Sequence, residues 1–521
     1  MGCVGFPPIA SYMTRLHLAV LAAASGILIA LLFIPPIVGL ADQADFARIM
    51  HTFKIEYPPD LSKADRYFCY VQTKYIVSSE RPPGRSRIPF FSTELLFVGA
   101  AALLHSIAFR SSSFDIRLLA LVHAVAFLSA VFLILYGTRR LNRRSSIVLG
   151  GLVILIFCDV GYLAYFNSFY SESASYIFGL AYIGSTLLLV QAPRRRLWHL
   201  SLLTICGAAL VAAKPQNAPL AAVIACFLWF SIRPLEQTAK LWSRACVASA
   251  CIILLSALMS YARVPDAMRE EALYNSIFNE LLVHSPTPEA DLREIGLSPK
   301  LALYAGTLFG DPRRYRSSDL FPGNTNSIRI VSFYISHPRR FLRLAQRGSA
   351  AALSNRCPDL GNFERGSGKP CRSLTNSFAI WDKIRYHLNH FWLLGLFFSA
   401  NLVLPFLMSR GHEQRVRCLF VFQASLSLMA VLAFLTVILA DSDWLQKHLL
   451  LFNFLFDCCL IGDLLWLCSG VSSFTQILRG HRERIEVRRD RPWAEKIAEA
   501  FGVVTANPPS TVHATAESSM R

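Results

Sequence analysis

Apolar residues fall along this chain in long blocks rather than in short periodic stripes. The first block runs from about Leu16 to Leu40, just after Arg15. Others follow at about 93–109, 115–137, 145–166, 173–191, 198–213, 216–232 and 244–262, then at 389–409, 416–440 and 447–469. Most approach the ~20 residues a helix needs to cross a hydrocarbon core of ~30 Å. Several are apolar on every face, whereas a surface helix of a soluble protein shows one apolar stripe. The pattern predicts an all-α polytopic membrane protein. The first block is too long for a signal-peptide core and reads as an uncleaved anchor.

Polar stretches at 41–92 and 263–388 interrupt the blocks, and 471–521 forms a basic tail ending in Ser, Thr and Ala. That tail is expected to be partly disordered. The division expected is therefore 1–40, an N-terminus and first span; 41–114, an outer loop with interfacial helices; 115–262, a membrane core; 263–388, an outer domain; 389–470, the last spans; and 471–521, the tail.

Composition agrees with this picture. Of 521 residues, 54% are hydrophobic and 17% charged, against about 25% charged in soluble domains. The net charge of +18 does not require a nucleic-acid partner. Its clusters sit between apolar blocks, where cytoplasmic loops of membrane proteins carry them, and no nucleic-acid-binding motif accompanies them. Cysteines lie mostly inside apolar blocks, where they act as small hydrophobes. None forms a CxxC pair with metal spacing, and Cys458-Cys459 is a poor metal geometry. Met1-Gly2-Cys3 lacks the Ser or Thr at position 6 that myristoylation needs; Phe6 stands there.

Basic loops set the orientation. Arg139, Arg140, Arg143 and Arg144 form one; Arg194 to Arg196, Arg233 with Lys240 and Arg244, and Arg410 with Arg415 and Arg417 form three more. The tail adds Arg482, Arg484, Arg488 and Arg489. All are expected to be cytoplasmic. If 93–109 and 115–137 both crossed, the Arg139–Arg144 loop would face outward. Keeping 93–109, with Glu94 at its start and His105 inside, on the outer interface removes the conflict. About ten crossings remain, with both termini cytoplasmic and both polar stretches outside. Cys357 and Cys371 then share an oxidising compartment and are expected to pair across a short loop.

This topology gathers chemistry on one face. Asp42 and Asp45 follow the first span, Glu172 lies at the hairpin between spans three and four, and Lys214 at that between spans five and six. Asp441 and Asp443 lie at the last hairpin. A carboxylate can serve as general base toward a hydroxyl, and a lysine at the lipid boundary can neutralise a phosphate. Each also has a structural reading: Asp45 as a helix-start charge, Lys214 as a snorkelling lysine, and Tyr165, Phe166, Phe169 and Tyr170 as interfacial belt residues. Asp457 and Asp463, inside the last span, suit function or polar packing between helices.

The layout resembles the GT-C glycosyltransferases, membrane enzymes that use polyprenyl-phosphate sugars. The similarity rests on an acidic residue after the first span, on the basic turn Leu135-Tyr136-Gly137-Thr138-Arg139-Arg140-Leu141, and on Ala213-Lys214-Pro215 at the outer end of the fifth span. Within that superfamily, Asp45-Phe46-Ala47-Arg48, Asn167-Ser168-Phe169-Tyr170-Ser171-Glu172 and Lys214-Pro215-Gln216-Asn217 look like bacterial hexose transferases of cell-surface glycan synthesis. So do Tyr334-Ile335-Ser336-His337-Pro338 and Asp359-Leu360-Gly361-Asn362-Phe363-Glu364. Such enzymes often have Glu-Pro where this chain has Glu172-Ser173.

The resemblance implies a GT-C-like bundle in a bacterial inner membrane. It implies transfer of a hexose, with inversion, from a polyprenyl-phosphate donor to a lipid-linked or cell-surface glycan acceptor. Asp45 is implied as base, with Asp42 and Glu172 as alternatives. Lys214 is implied as the phosphate contact, and Arg48, Asn167, Tyr170 and Gln216 as further substrate-binding residues. A divalent metal occurs in some relatives, but no ligand set stands out here. The competing classes are a glycan transporter or flippase, which should show internal repeats, and a surface-glycan polymerase or ligase using a diphosphate-linked donor.

Overall fold

The computed structural model describes residues 15–78, 90–109, 111–192, 196–236, 240–315, 321, 326–408, 413–440 and 443–468. Met1-Gly2-Cys3, Arg194, Arg195, Arg410, Asp441 and the tail arginines lie outside them. Residues 1–463 group as one compact unit and 464–521 as a second.

Helices dominate, as the apolar blocks predict. They are α1 (Arg15–Leu32), α2 (Glu94–Ala108), α3 (Arg117–Gly137), α4 (the bent pair Arg143–Phe157 and Val160–Asn167), α5 (Glu172–Gln191), α6 (Leu197–Val211), α7 (Leu220–Ile232) and α8 (Lys240–Ala262). A smaller group follows: α9 (Asp266–Tyr274), α10 (Ser327–Ser336), α11 (Pro338–Ala351) and α12 (Ile380–His387). The chain then returns to long apolar helices, α13 (Phe391–Met408), α14 (Gln414–Ala440) and α15 (Leu450–Cys468).

Among the described residues, seven helices are long and apolar enough to cross a bilayer, and the bent pair α4 makes an eighth. The expected ten counted α6 and α7 as well. At 15 and 13 residues these reach only about 22 and 20 Å at 1.5 Å per residue, less than a hydrocarbon core. They end early because Lys214-Pro215 breaks the chain between them, and Pro cannot continue a helix interior.

Helix α5 is central, buried on nearly all sides, and α3 lies directly against it. Gly184 makes that approach possible: a Cβ there would meet the Leu133 Cβ at 2.7 Å and the Ile134 nitrogen at 2.9 Å. Helices α8 and α13 turn rows of large apolar side chains outward, among them Leu254, Leu255 and Leu258, then Leu393 and Leu396. That is the surface lipid would cover.

The polar markers of α2 turn inward. Glu94 is fully buried and bonded to His123 Nε2 of α3 at 2.9 Å, and His105 Nε2 meets the Ser111 carbonyl at 2.8 Å. Their contribution is to tie α2 to its neighbours, because buried polar groups need partners. The two acids of the last span also pack. Asp457 accepts from Tyr162 (2.6 Å), Trp381 (3.0 Å) and the fully buried Arg385 (2.8 Å), clamping α12 onto α15 and α4. Asp463 accepts from Asn401 (2.9 Å) and Gln423 (3.2 Å), joining three helices.

The first polar stretch is braced by the second. A small antiparallel sheet, β1 (Ile55–Glu56), β2 (Lys74–Val77) and β3 (Ser113–Asp115), pairs Ile55 with Val77 and Tyr75 with Phe114. The segment Gly361-Asn362-Phe363 threads between two parts of the loop. Ala41 and Gly39 donate to the carbonyls of Gly361 and Asn362, and Val71 to that of Phe363. Only glycine fits at 361, since a Cβ would stand 2.0 Å from the Cys69 carbonyl oxygen. A disulfide joins Cys69 to Cys371 beside it. This corrects the expected Cys357–Cys371 pair. Cys357 is a buried free thiol, and the partner of Cys371 comes from a loop 302 residues away, which short-loop reasoning does not reach.

Candidate functional site

Below the brace, the loop that leaves α1 turns sharply at Asp42. Its Oδ1 accepts from the backbone nitrogens of Asp45 (2.8 Å) and Phe46 (3.1 Å), and Oδ2 accepts from the Tyr57 hydroxyl at 2.8 Å. Asp42 is buried. Burial pushes its carboxyl up to about 6 against the pull of those three donors. Asp42 therefore shapes the turn, and its oxygens face away from open space.

The turn presents Asp45. One oxygen meets Lys447 Nζ at 2.5 Å and the other Arg48 at 2.9 Å, with Gln43 Nε2 at 3.1 Å. Burial would raise this carboxyl, but Lys447 and Arg48 outweigh it and hold it well below the usual carboxylate range. Arg48 reaches on to Glu271 of α9 at 3.5 Å. Tyr170 supports the turn: its hydroxyl donates to the Ala41 carbonyl and accepts from the Gln43 nitrogen, both at 2.9 Å. Its ring lies 4.8 Å beneath the Lys447 ammonium, a cation–π contact.

A second ion pair stands beside the first. Lys214 Nζ donates to Glu172 Oε1 at 2.7 Å and lies 3.3 Å from His448 Nδ1. Burial, Lys214 and Lys447 all keep His448 neutral, its pKa far below the ordinary value. Burial also lowers the pKa of Lys214, against the pull of Glu172. Gln216 fixes the hairpin by donating to the His448 carbonyl at 3.0 Å.

A cavity of about 1500 Å³ opens over this double pair. Asp45, Arg48, Tyr170, Glu172, Lys214, Gln216 and His448 line it on one side, with Glu271 and Asp443 near by. The rest of its lining is mixed: Tyr261 at the end of α8, Val264, and Val437 and Ala440 at the end of α14 are apolar or aromatic, while Asp266, Arg269 and Glu270 are charged. Asn167 lies elsewhere, buried and donating to the carbonyls of Leu32 (3.1 Å) and Val38 (2.8 Å). There it holds the end of α1 to the start of the loop.

Lys447, His448 and Glu271 did not emerge from the sequence. Lys447-His448 begins an apolar block and reads as a span boundary. The one signal was Trp444-Leu445-Gln446-Lys447-His448, an aromatic, polar and basic turn at the same hairpin as Asp443. Among the described residues, no three or more His, Cys, Asp or Glu side chains converge as a metal would require.

The sequence matches the family described as "YfdI N-terminal transmembrane domain" over residues 9–481. No curated relative matches it. Among solved structures, one similar fold is the Archaeoglobus fulgidus oligosaccharyltransferase tethered to an acceptor peptide containing the NVT sequon. It is 14% identical, with 95% of this chain and 54% of that one covered and a TM-score of 0.39. Another is the archaeal oligosaccharyltransferase AglB from the same organism, in complex with an inhibitory peptide and a dolichol-phosphate; it is 14% identical, with 94% and 54% covered and a TM-score of 0.38. This chain spans about half the length of these proteins. It belongs to the YfdI N-terminal transmembrane domain family.

Proposed function

We propose that this protein transfers a hexose from a polyprenyl-phosphate donor to a lipid-linked or cell-surface glycan at the outer face of a bacterial inner membrane. The observation that carries the proposal is the double pair, Asp45 with Lys447 and Glu172 with Lys214, at a cavity lined by Asp45, Glu172 and Lys214 together with apolar residues such as Val264, Val437 and Ala440. A lipid phosphate has the two characters, charged and apolar, that such a lining offers. The Cys69–Cys371 disulfide supports an outer, oxidising location for this face.

Asp45 is the general base in this proposal. Held by Lys447, it is ionised but weakly basic. A donor phosphate competes for the ammonium groups of Lys447 and Lys214. As it draws Lys447 away, the Asp45 carboxylate gains basicity and accepts the proton of the acceptor hydroxyl. The hydroxyl oxygen forms its bond to the anomeric carbon as the bond to the phosphate oxygen breaks on the opposite face, inverting the centre. The lysines stay with the departing phosphate, whose charge needs no general acid. Glu172 keeps Lys214 charged despite its burial.

The test is a lipid and glycan profile of a strain lacking the gene. Polyprenyl-phosphate hexose should accumulate and one surface glycan should lose a hexose. Accumulation of a diphosphate-linked glycan instead would identify a polymerase or ligase.

A further inference from the structure

Helices α10 and α11 form a hairpin joined at His337-Pro338. Helix α10 is apolar on two sides. Ile330, Phe333 and Tyr334 are buried against the core of the outer segment. Ile335, about three-quarters exposed, and Val331, 38% exposed, stand one turn apart on a second side, while Ile328 borders the cavity. That core needs only one face of α10, so the second side calls for another apolar surface.

Helix α11 carries four arginines on two sides. Arg340 pairs with Asp291, and Arg347 with Glu280, both on the protein side. Arg339 and Arg343, one turn apart, are exposed and have no acidic partner among the described residues. Leu342 stands exposed between them.

The position of the hairpin identifies the surface. Gly348 of α11 lies against Ile438, two residues from the end of α14, and a Cβ there would stand 2.5 Å from the Ile438 side chain. Asn389, just before α13 begins, donates to the carbonyls of Ala350 and Ala352 at 3.2 and 2.9 Å. The hairpin is thus fixed at the level where two apolar, span-length helices end. From these contacts we infer that the α10–α11 hairpin is an interfacial anchor: Val331 and Ile335 enter the acyl boundary while Arg339 and Arg343 bind anionic lipid phosphates. An apolar stripe beside unpaired arginines at a membrane boundary has this chemistry.

Photocrosslinking in nanodiscs of equal parts phosphatidylcholine and phosphatidylglycerol tests the inference with the full chain. A benzophenone side chain at position 335 should yield lipid adducts enriched in phosphatidylglycerol, and one at Glu289, on an exposed polar helix, should yield none. The double variant Arg339→Glu with Arg343→Glu should lose that enrichment, roughly fivefold for each arginine, while remaining monodisperse. Adducts to protein at position 335, no lipid adducts there, or equal headgroup composition in parent and variant would each overturn the inference. None of these readouts depends on glycosyl transfer.

Discussion

Asp45 and Lys447, 402 residues apart in sequence, meet at 2.5 Å behind the cavity that Asp45 lines. Lys447 is almost wholly buried, whereas Asp45 keeps about a fifth of its side chain accessible. The pair is therefore anchored on the lysine side and open on the carboxylate side, as expected of a base that an acceptor must reach.

Both lysines should act on donor binding. Lys214→Ala and Lys447→Ala should each raise the KM for a polyprenyl-phosphate hexose roughly 10- to 100-fold, the worth of a hydrogen bond to a charged group. In Lys214→Ala, kcat should change much less, because a phosphate contact is made in both ground and transition states. Steady-state kinetics in proteoliposomes provides the check. A fall in kcat at constant KM for Lys214→Ala would assign that residue to another step.

Asp42 should make itself known through stability. Its folded-state pKa, about 6, lies above the ordinary carboxylate value because of burial. Its contribution is therefore fully present below pH ~4 and is lost as pH rises through 6, amounting to roughly 3 kcal/mol for a shift of this size. Asp45, shifted the opposite way, gives its contribution above the ordinary value and loses it only in stronger acid. Between pH 4 and 6, then, the Tm of parent protein should fall relative to that of Asp42→Asn. Parallel curves for the two proteins would refute this.

Much of the site was legible because its parts sit at the ends of apolar blocks. Asp45 and Lys214 stand where a charge has no reason to be unless it caps, snorkels or binds, and both line the cavity. What sequence could not supply was partnership across long separations. Lys447 looks like the edge of a span until Asp45 is placed against it. Cys371 looks like the partner of nearby Cys357 until Gly361-Asn362-Phe363 brings it to Cys69. Asn167 looks like part of an aromatic substrate motif, yet its amide is spent on the carbonyls of Leu32 and Val38. The fold was legible to a similar depth: the blocks mark the helices, but not that α6 and α7 stop short.

Peptide mapping without reductant should recover Cys69 linked to Cys371 and Cys357 as a thiol. Alkylation of Cys357 should require denaturant, since it is buried. Recovery of a Cys357–Cys371 peptide would mean that the loop is braced differently.

The buried Arg385–Asp457 pair should matter for folding and not for transfer. Asp457→Ala removes the closer carboxylate of the buried Arg385, leaving Asp382 at 3.4 Å, and should cost up to about 3–5 kcal/mol, seen as a lower Tm and poor recovery from membranes. Replacing both residues by apolar ones of similar volume should restore much of the loss. A well-folded Asp457→Ala protein with reduced transfer alone would place the pair in the mechanism.

The central claim is that Asp45 is the base. Its most direct test is the turnover of Asp45→Asn in membranes supplied with polyprenyl-phosphate hexose and acceptor, once the variant is shown to insert and fold. The expected result is a kcat lowered roughly 10²- to 10⁴-fold with the KM for donor little changed. Near-parental turnover in the folded variant would contradict the assignment and turn attention to Glu172.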